Sequence, residues 1–323
     1  MSQPAFTEHA LRFDCEGEQL LGILALPGRD ASSTAAHTAM LMVVGGPQYR
    51  AGSHRQFTLS ARAAAAAGMP VLRFDYRGMG DSSGALRQFE GVEHDIAAAI
   101  DALQRRCPSV RSVVLYGLCD AASASLLYWD ATHDPRIAAM CLLNPWVRSE
   151  AGLARVHVTH YYGQRLRDPA FWRKLLRGEV ARDALGGALR SVSQMLGSGR
   201  RSSAGGAAAP ALSYQQRMAR AWMAFEGPVL LLISGRDFTA QEFLQCAGRE
   251  PEWRGALSQP QLTQHTLADA DHTFSASQAQ RRADALLVEW LTQHRLSAPT
   301  AAQPFDEVAA ASGAEAARQE VTP

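Results

Sequence analysis

The chain has 323 residues, 47% of them apolar, enough to close a large core without metals or disulfides. Its formal net charge of +1 lacks the concentrated basic surface that general nucleic-acid binding requires. Lys174 is the single lysine, so no Gly-Lys-Ser/Thr phosphate loop exists to hold a nucleotide.

Glu8, His9, Arg12, Asp14, Glu16 and Glu18 interrupt the first twenty residues, leaving no apolar run of a secretory signal. Nor does any stretch of about 18 apolar residues follow that could span a membrane, and a cytoplasmic protein is expected. Ala10 to Cys15 alternates apolar and polar residues, and the more apolar Gln19 to Leu26 ends at Pro27-Gly28. The pair reads as an antiparallel hairpin at a sheet edge. Ala39 to Val44, Val71 to Tyr76, Ser112 to Tyr116 and Ile137 to Leu143 are short apolar runs separated by helix-length stretches. Such runs suit strands buried on both faces, which predicts a mostly parallel twisted sheet with helices on each side.

The pattern breaks after Asn144-Pro145-Trp146. Residues 147–225 offer helical stretches with Phe171, Trp172, Leu175 and Leu176 on one face, then a Gly/Ser/Ala-rich loop at 197–209. This segment is expected to be a helical cap inserted into an α/β core made of residues 1–146 and 226–296. Strand patterning resumes at Pro228 to Ile233 and Gln261 to Leu267. Ser277 to His294 is a closing helix with Ala283, Leu286, Leu287, Trp290 and Leu291 on one face, and residues 297–323 form a tail expected to be disordered.

Five cysteines, Cys15, Cys107, Cys119, Cys141 and Cys246, are widely spaced with no Cys-x-x-Cys pair, which suits a reducing compartment. Cys119 stands apart. In Ser112-Val-Val-Leu-Tyr-Gly-Leu-Cys-Asp-Ala-Ala-Ser123 a β-branched strand runs through Gly117-x-Cys119-x-Ala121 into an alanine-rich helix. A nucleophile on such a strand-turn-helix elbow needs small residues two before and two after it, because neighbouring backbones come close. The helix that follows aims its N-terminal amides at the turn, a setting that favours an anionic sulfur. The alternative is a small buried cysteine with no chemistry.

Gly80-Asp-Ser82-Ser-Gly84 matches the literal Gly-x-Ser-x-Gly pattern better, but Ser82 lies beyond its strand and no helix opens after it. In this fold the acid and then the histidine follow the nucleophile. Asp237, just past the Val229–Ile233 strand, and His272, in the loop after the last strand, hold those positions. Asp237 could instead cap the helix that starts near Thr239, with Asp269 or Asp271 as substitute acid. His54 and Arg55 are candidates for binding substrate or merely begin a helix.

These motifs, together with Gly45-Gly46-Pro47 and Phe74-Asp-Tyr-Arg-Gly-Met-Gly-Asp-Ser82, make the chain resemble the α/β-hydrolase superfamily over residues 5–295. It is more narrowly similar to the exosortase A system-associated hydrolase 1 group. That likeness rests on Gly45-Gly-Pro-Gln-Tyr-Arg50 with Gly52-Ser-His-Arg-Gln-Phe57, on Gly117-Leu-Cys-Asp120 and on Gly235-Arg-Asp-Phe-Thr-Ala-Gln-Glu242. The resemblance implies an esterase or thioesterase linked to bacterial exopolysaccharide and exosortase clusters, which often include acyl-carrier proteins. Cysteine in place of the usual serine is similar to dienelactone hydrolases and polyhydroxyalkanoate synthases. Val44 replaces the family's usual histidine. Because Pro47 has no N–H, the resemblance implies oxyanion donors at Gly46 or Gln48, together with Asp120. The Asp120 carboxylate, which would oppose an anionic sulfur, is expected to point away.

The expected chemistry is attack by Cys119 on an ester or thioester, with His272 as base then acid and Asp237 orienting it. No cofactor or metal is implied. Acyl transfer from a carrier thioester is the rival within enzymes, and a catalytically silent partner protein the rival outside them. Phe171 and Trp172 are expected to line an acyl pocket. Between Val147 and Arg201 eleven cations face four acids, a local excess of seven that suits an anionic acyl carrier.

Overall fold

The computed structural model describes residues 5–28, 37–46, 48–148 and 212–295. Strands β1 (Phe6–Cys15) and β2 (Glu18–Pro27) form the expected hairpin, turning at Glu16 and Gly17, both at positive φ as a tight two-residue turn requires. Strand β2 then pairs antiparallel with β4 (Val71–Asp75). All later pairings are parallel: β3 (Thr38–Val43) with β4 and with β5 (Ser112–Leu118), then β6 (Ile137–Leu143), β7 (Val229–Ser234) and β8 (Leu262–Leu267). The eight strands lie in the order β1-β2-β4-β3-β5-β6-β7-β8.

The α-helices among the described residues are α1 (Gln56–Ala66), α2 (Glu93–Arg106), α3 (Asp120–Thr132), α4 (Tyr214–Ala224), α5 (Phe238–Arg249) and α6 (Ser277–Arg295). Strand side chains alternate between two apolar clusters. Leu41 and Val43 join Ile100, Leu127, Trp222 and Phe243, from α2, α3, α4 and α5. Met40 and Met42 join Phe57, Ala61, Leu287 and Trp290, from α1 and α6. Both faces are therefore covered, which is why β3 to β7 read as apolar runs without alternation. Edge strand β8 does alternate in exposure.

Helix α4 belongs to the first cluster, where Trp222 packs on Phe243 and Trp253 with ring centroids 5.7 Å from each. Arg217 and Arg220 on α4 donate to the buried Asp130 carboxylate on α3 at 3.0 and 2.7 Å. Residues 149–211, most of the expected cap, lie outside the described residues, as does the 297–323 tail. Among the described residues no helix is long and apolar enough to cross a membrane.

From β3 the chain runs first to β4 on one side and later to β5 on the other. The strand order thus reverses at β3 and β5, and in open α/β sheets a ligand crevice lies beyond the carboxyl ends of strands at such a point. The loop carrying Gly45 and Gly46 follows β3, and Cys119 follows β5.

Candidate active site

Cys119 occupies the turn between β5 and α3 with φ 62° and ψ −125°, a conformation few residues adopt unless the surroundings enforce it. They do so through its main chain. Cys119 N–H donates to Leu143 O at 2.9 Å, and its carbonyl accepts from Trp146 N–H at 3.2 Å, tying the turn to the end of β6. The Ser123 hydroxyl donates to Trp146 O at 2.6 Å, fastening α3 to the same segment. The demand for a small residue before the turn is met literally: a Cβ on Gly117 would stand 2.5 Å from the carbonyl of Ala121. The Cys119 side chain is half-buried, whereas Cys15, Cys107 and Cys141 are buried.

His272 lies in the loop after β8. Gly235 N–H donates to Leu267 O at 2.9 Å and Arg236 N–H to Ala270 O at 3.0 Å, so the ends of β7 and β8 run side by side and bring Asp237 to the histidine loop. His272 Nδ1 stands 2.7 Å from Asp237 Oδ2. The Cys119 side chain acts on the same ring. Burial pulls the imidazole pKa down, but the hydrogen bonds and charges of Asp237 and Cys119 outweigh it and push it up to about 10. Cys119, His272 and Asp237 are thus brought together at the carboxyl edge of the sheet.

Asp237 also caps α5, accepting the amides of Thr239 at 3.0 Å and Ala240 at 3.2 Å, so the cap and the histidine partner are one side chain. Asp269 instead pairs with Arg236 at 2.6 Å, and Asp271 accepts from Ser275 N–H at 2.8 Å. Ser82 is occupied in the hairpin, donating to Asp75 O at 2.6 Å and accepting from Leu21 N–H at 2.9 Å.

The loop after β3 crosses the start of α3. Gly46 N–H donates to Asp120 Oδ2 at 2.8 Å, so the Asp120 side chain turns onto this loop. Gly45 permits the approach, since a Cβ there would fall 1.9 Å from Asp120 Oδ1. Burial raises the Asp120 pKa, against the lowering effect of the Gly46, Ala121 and Asp120 amides and of His272. The Gln48 side chain accepts from Ser53 N–H at 3.1 Å, bracing the same loop.

His54 and Arg55 are exposed and both left-handed, at φ 54° and 60°, on the turn that leads into α1. Burial raises the Asp271 pKa, the hydrogen bonds of Ser275 and Thr273 outweigh it and lower the value, and His54 adds the smallest lowering effect. Phe171 and Trp172 lie outside the described residues. Among the described residues no group of three His, Cys, Asp or Glu is placed to hold a metal ion.

Asn144 has no counterpart in the sequence reading. Fully buried at the end of β6 with φ 44°, it accepts from Ser234 N–H at 2.8 Å and donates to Ser234 Oγ at 2.9 Å and His272 O at 3.1 Å. Its signal was present: a polar side chain between a buried strand and a proline, at the carboxyl edge of the sheet.

The sequence profile described as the alpha/beta hydrolase family matches residues 40–285. Among solved structures, an esterase of Pyrococcus furiosus superposes with a TM-score of 0.57 at 14% identity, over 89% of this chain and 91% of that one. Est1E of Butyrivibrio proteoclasticus, solved with ferulic acid bound, gives 0.56 at 14% identity, over 88% and 98%. DcsB, solved with a substrate analogue, gives 0.54 at 13% identity, over 89% and 99%. At such identities the likeness is one of fold. No curated protein matches the chain.

Proposed function

The chain belongs to the alpha/beta hydrolase family, and from that premise we propose that it is a thiol-dependent hydrolase of esters or thioesters. The observation that carries this reading is the His272–Asp237 pair, with Nδ1 and Oδ2 at 2.7 Å, on a ring that Cys119 in its strand-turn-helix elbow also acts on. In the proposed reaction the sulfur bonds to the substrate carbonyl carbon, and the proton it shared with His272 stays on the ring. His272 then gives that proton to the departing oxygen or sulfur, leaving an acyl-thioester on Cys119. A water molecule, deprotonated by the same imidazole, releases the acid and restores the thiol.

Asp237 supports the imidazolium without being protonated itself. The raised pKa of His272, pushed to about 10, accords with a ring that holds its proton near neutral pH. The oxyanion would be received by main-chain amides at Asp120 and in the loop of Gly46 and Gln48. An anionic acyl-carrier thioester is the proposed substrate form, on the cationic excess of residues 147–201. A setting in an exopolysaccharide or exosortase-linked pathway is part of the same proposal and rests on the motif likeness of residues 45–57 and 235–242.

Intact-mass measurement after brief exposure to a panel of acyl esters and thioesters tests the reading. One acyl adduct, mapped by digestion to Cys119 and absent from Cys119→Ala, is expected. Turnover retained in Cys119→Ala would reject it, because loss of a covalent nucleophile costs about four to six orders of magnitude.

A further inference from the structure

An oxyanion site works by offering amide protons that nothing else holds. In this structure the Gly46 amide is held: it donates to Asp120 Oδ2 at 2.8 Å. The carboxylate's other oxygen, Oδ1, is buried with no hydrogen-bond partner among the described residues and lies against Gly45. One carboxylate oxygen is thus bound as an oxyanion would be, while the other is buried without a partner among the described residues.

Building on the proposed function, we propose that the Asp120 carboxylate is an internal ligand of the oxyanion site. It takes the place of the substrate carbonyl oxygen on the Gly46 amide and must leave before the acyl group can pass to Cys119. Asp120 is then a positioning residue that acts through Gly46 and sets how readily a carbonyl enters productively.

Charge favours this reading over a permanent clamp. A carboxylate beside a carbonyl that is gaining negative charge opposes the reaction, so a fixed, charged Asp120 would work against the site it borders. The orphaned Oδ1 makes the bound position a poor one for the side chain, and departure to water would relieve it. The ionisable groups that act on the carboxylate or feel it include His272, whose charge favours the anion, and Tyr76, just past β4, whose phenol is pushed up by burial and then by Asp120; Cys119 is its neighbour in the chain.

Asp120→Ala deletes the internal ligand and keeps every main-chain donor. A hydrogen bond to a charged group is worth about a factor of ten in an equilibrium, so kcat/KM for a small ester is expected to rise about tenfold. Asp120→Asn, which keeps a weaker neutral acceptor, should fall between. Added formate should compete with substrate in Asp120→Ala and leave the unmodified protein unaffected, since only the variant has a vacant amide. A loss of activity in Asp120→Ala with Asp120→Asn unchanged would overturn the proposal in favour of a loop support.

The amide proton resonance of Gly46 separates this inference from the proposed function. Formate should shift it in Asp120→Ala alone, whether or not any ester is turned over. If no substrate reacts with any of the proteins, the proposed function fails and the inference is decided by that resonance. An unmoved Gly46 signal overturns it.

Discussion

The Asp237 carboxylate sits 2.7 Å from His272 Nδ1 while it also receives the amides of Thr239 and Ala240, so one side chain both starts helix α5 and orients the imidazole. The two duties can be separated. Asparagine caps a helix about as well as aspartate. It can also turn an N–H toward Nδ1, which holds the ring in the wrong tautomer. Asp237→Asn is therefore expected to keep the helix cap and lose roughly ten-thousandfold in turnover. Asp237→Ala should lose turnover and about 1 kcal/mol of stability besides. Comparable turnover in Asp237→Asn and the unmodified protein would assign the carboxylate to capping alone.

The pH dependence follows from His272. Its folded pKa, raised to about 10, exceeds the ordinary value of 6.5 expected for the unfolded chain. The stability it contributes is then complete below pH 6.5 and is lost as pH rises through about 10. Denaturant titrations of the unmodified protein and His272→Gln should show a difference in unfolding free energy that shrinks steadily across that window. The alkaline limb of kcat/KM should fall at the same upper value, because the ring then has no proton for the leaving group. A constant difference between the two proteins from pH 6 to about 10.5 would contradict the shift.

The fold was legible because burial on both faces leaves a plain mark: β3, β5, β6 and β7 are uninterrupted apolar runs. The candidate site was partly legible for a different reason. Cys119, Asp237 and His272 each follow a strand at its carboxyl end, so their places in the chain order already suggested a common edge. Hydrogen bonds between loops leave no such periodic mark. Asp120 was expected to point away from the sulfur, yet its destination, the Gly46 amide 74 residues earlier, leaves no mark in the sequence. The partners of Asn144 were hidden for the same reason, since Ser234 and His272 are distant from it in sequence.

Ser82 offers a direct contrast with the elbow. Its hydroxyl links Asp75 O to Leu21 N–H and so fastens the β2 hairpin to the loop after β4. Ser82→Ala should leave turnover within about threefold, while the unpartnered Leu21 amide costs about 1–3 kcal/mol in a denaturant titration. Loss of turnover with unchanged stability would revive the serine as a nucleophile.

Alkylation separates the five thiols. Burial foremost pushes the Cys15 pKa up to about 11 and that of Cys246 up to about 12, and it raises those of Cys107 and Cys141 as well. These four are protonated near neutral pH and react slowly, because the thiolate is the nucleophile. Cys119 is half-buried beside an imidazole that holds its proton. Brief iodoacetamide treatment at pH 7 should label Cys119 first, in step with loss of turnover. Labelling spread evenly over Cys119 and Cys246 would remove the basis for singling it out.

Asn144 supplies the last test, because it holds the main chain of the residue proposed to move the proton. Its amide nitrogen reaches His272 O at 3.1 Å and Ser234 Oγ at 2.9 Å, and its oxygen takes the Ser234 N–H at 2.8 Å, all at a fully buried position. Asn144→Ala leaves the Ser234 amide buried without a partner, which costs about 1–3 kcal/mol. It also frees the histidine loop from the end of β6. A displacement of about 1 Å at a reacting group can cost a hundredfold in rate, and this loss should fall on kcat, since no substrate contact is removed. Steady-state kinetics well below the variant's melting temperature should therefore give a kcat lower by ten- to a hundredfold, with KM changed by less than about threefold. Asn144→Asp keeps the acceptor for Ser234 N–H and lacks the donor to His272 O, so it should share the kcat defect. A normal kcat in Asn144→Asp would show that the contact with His272 O does not position the ring.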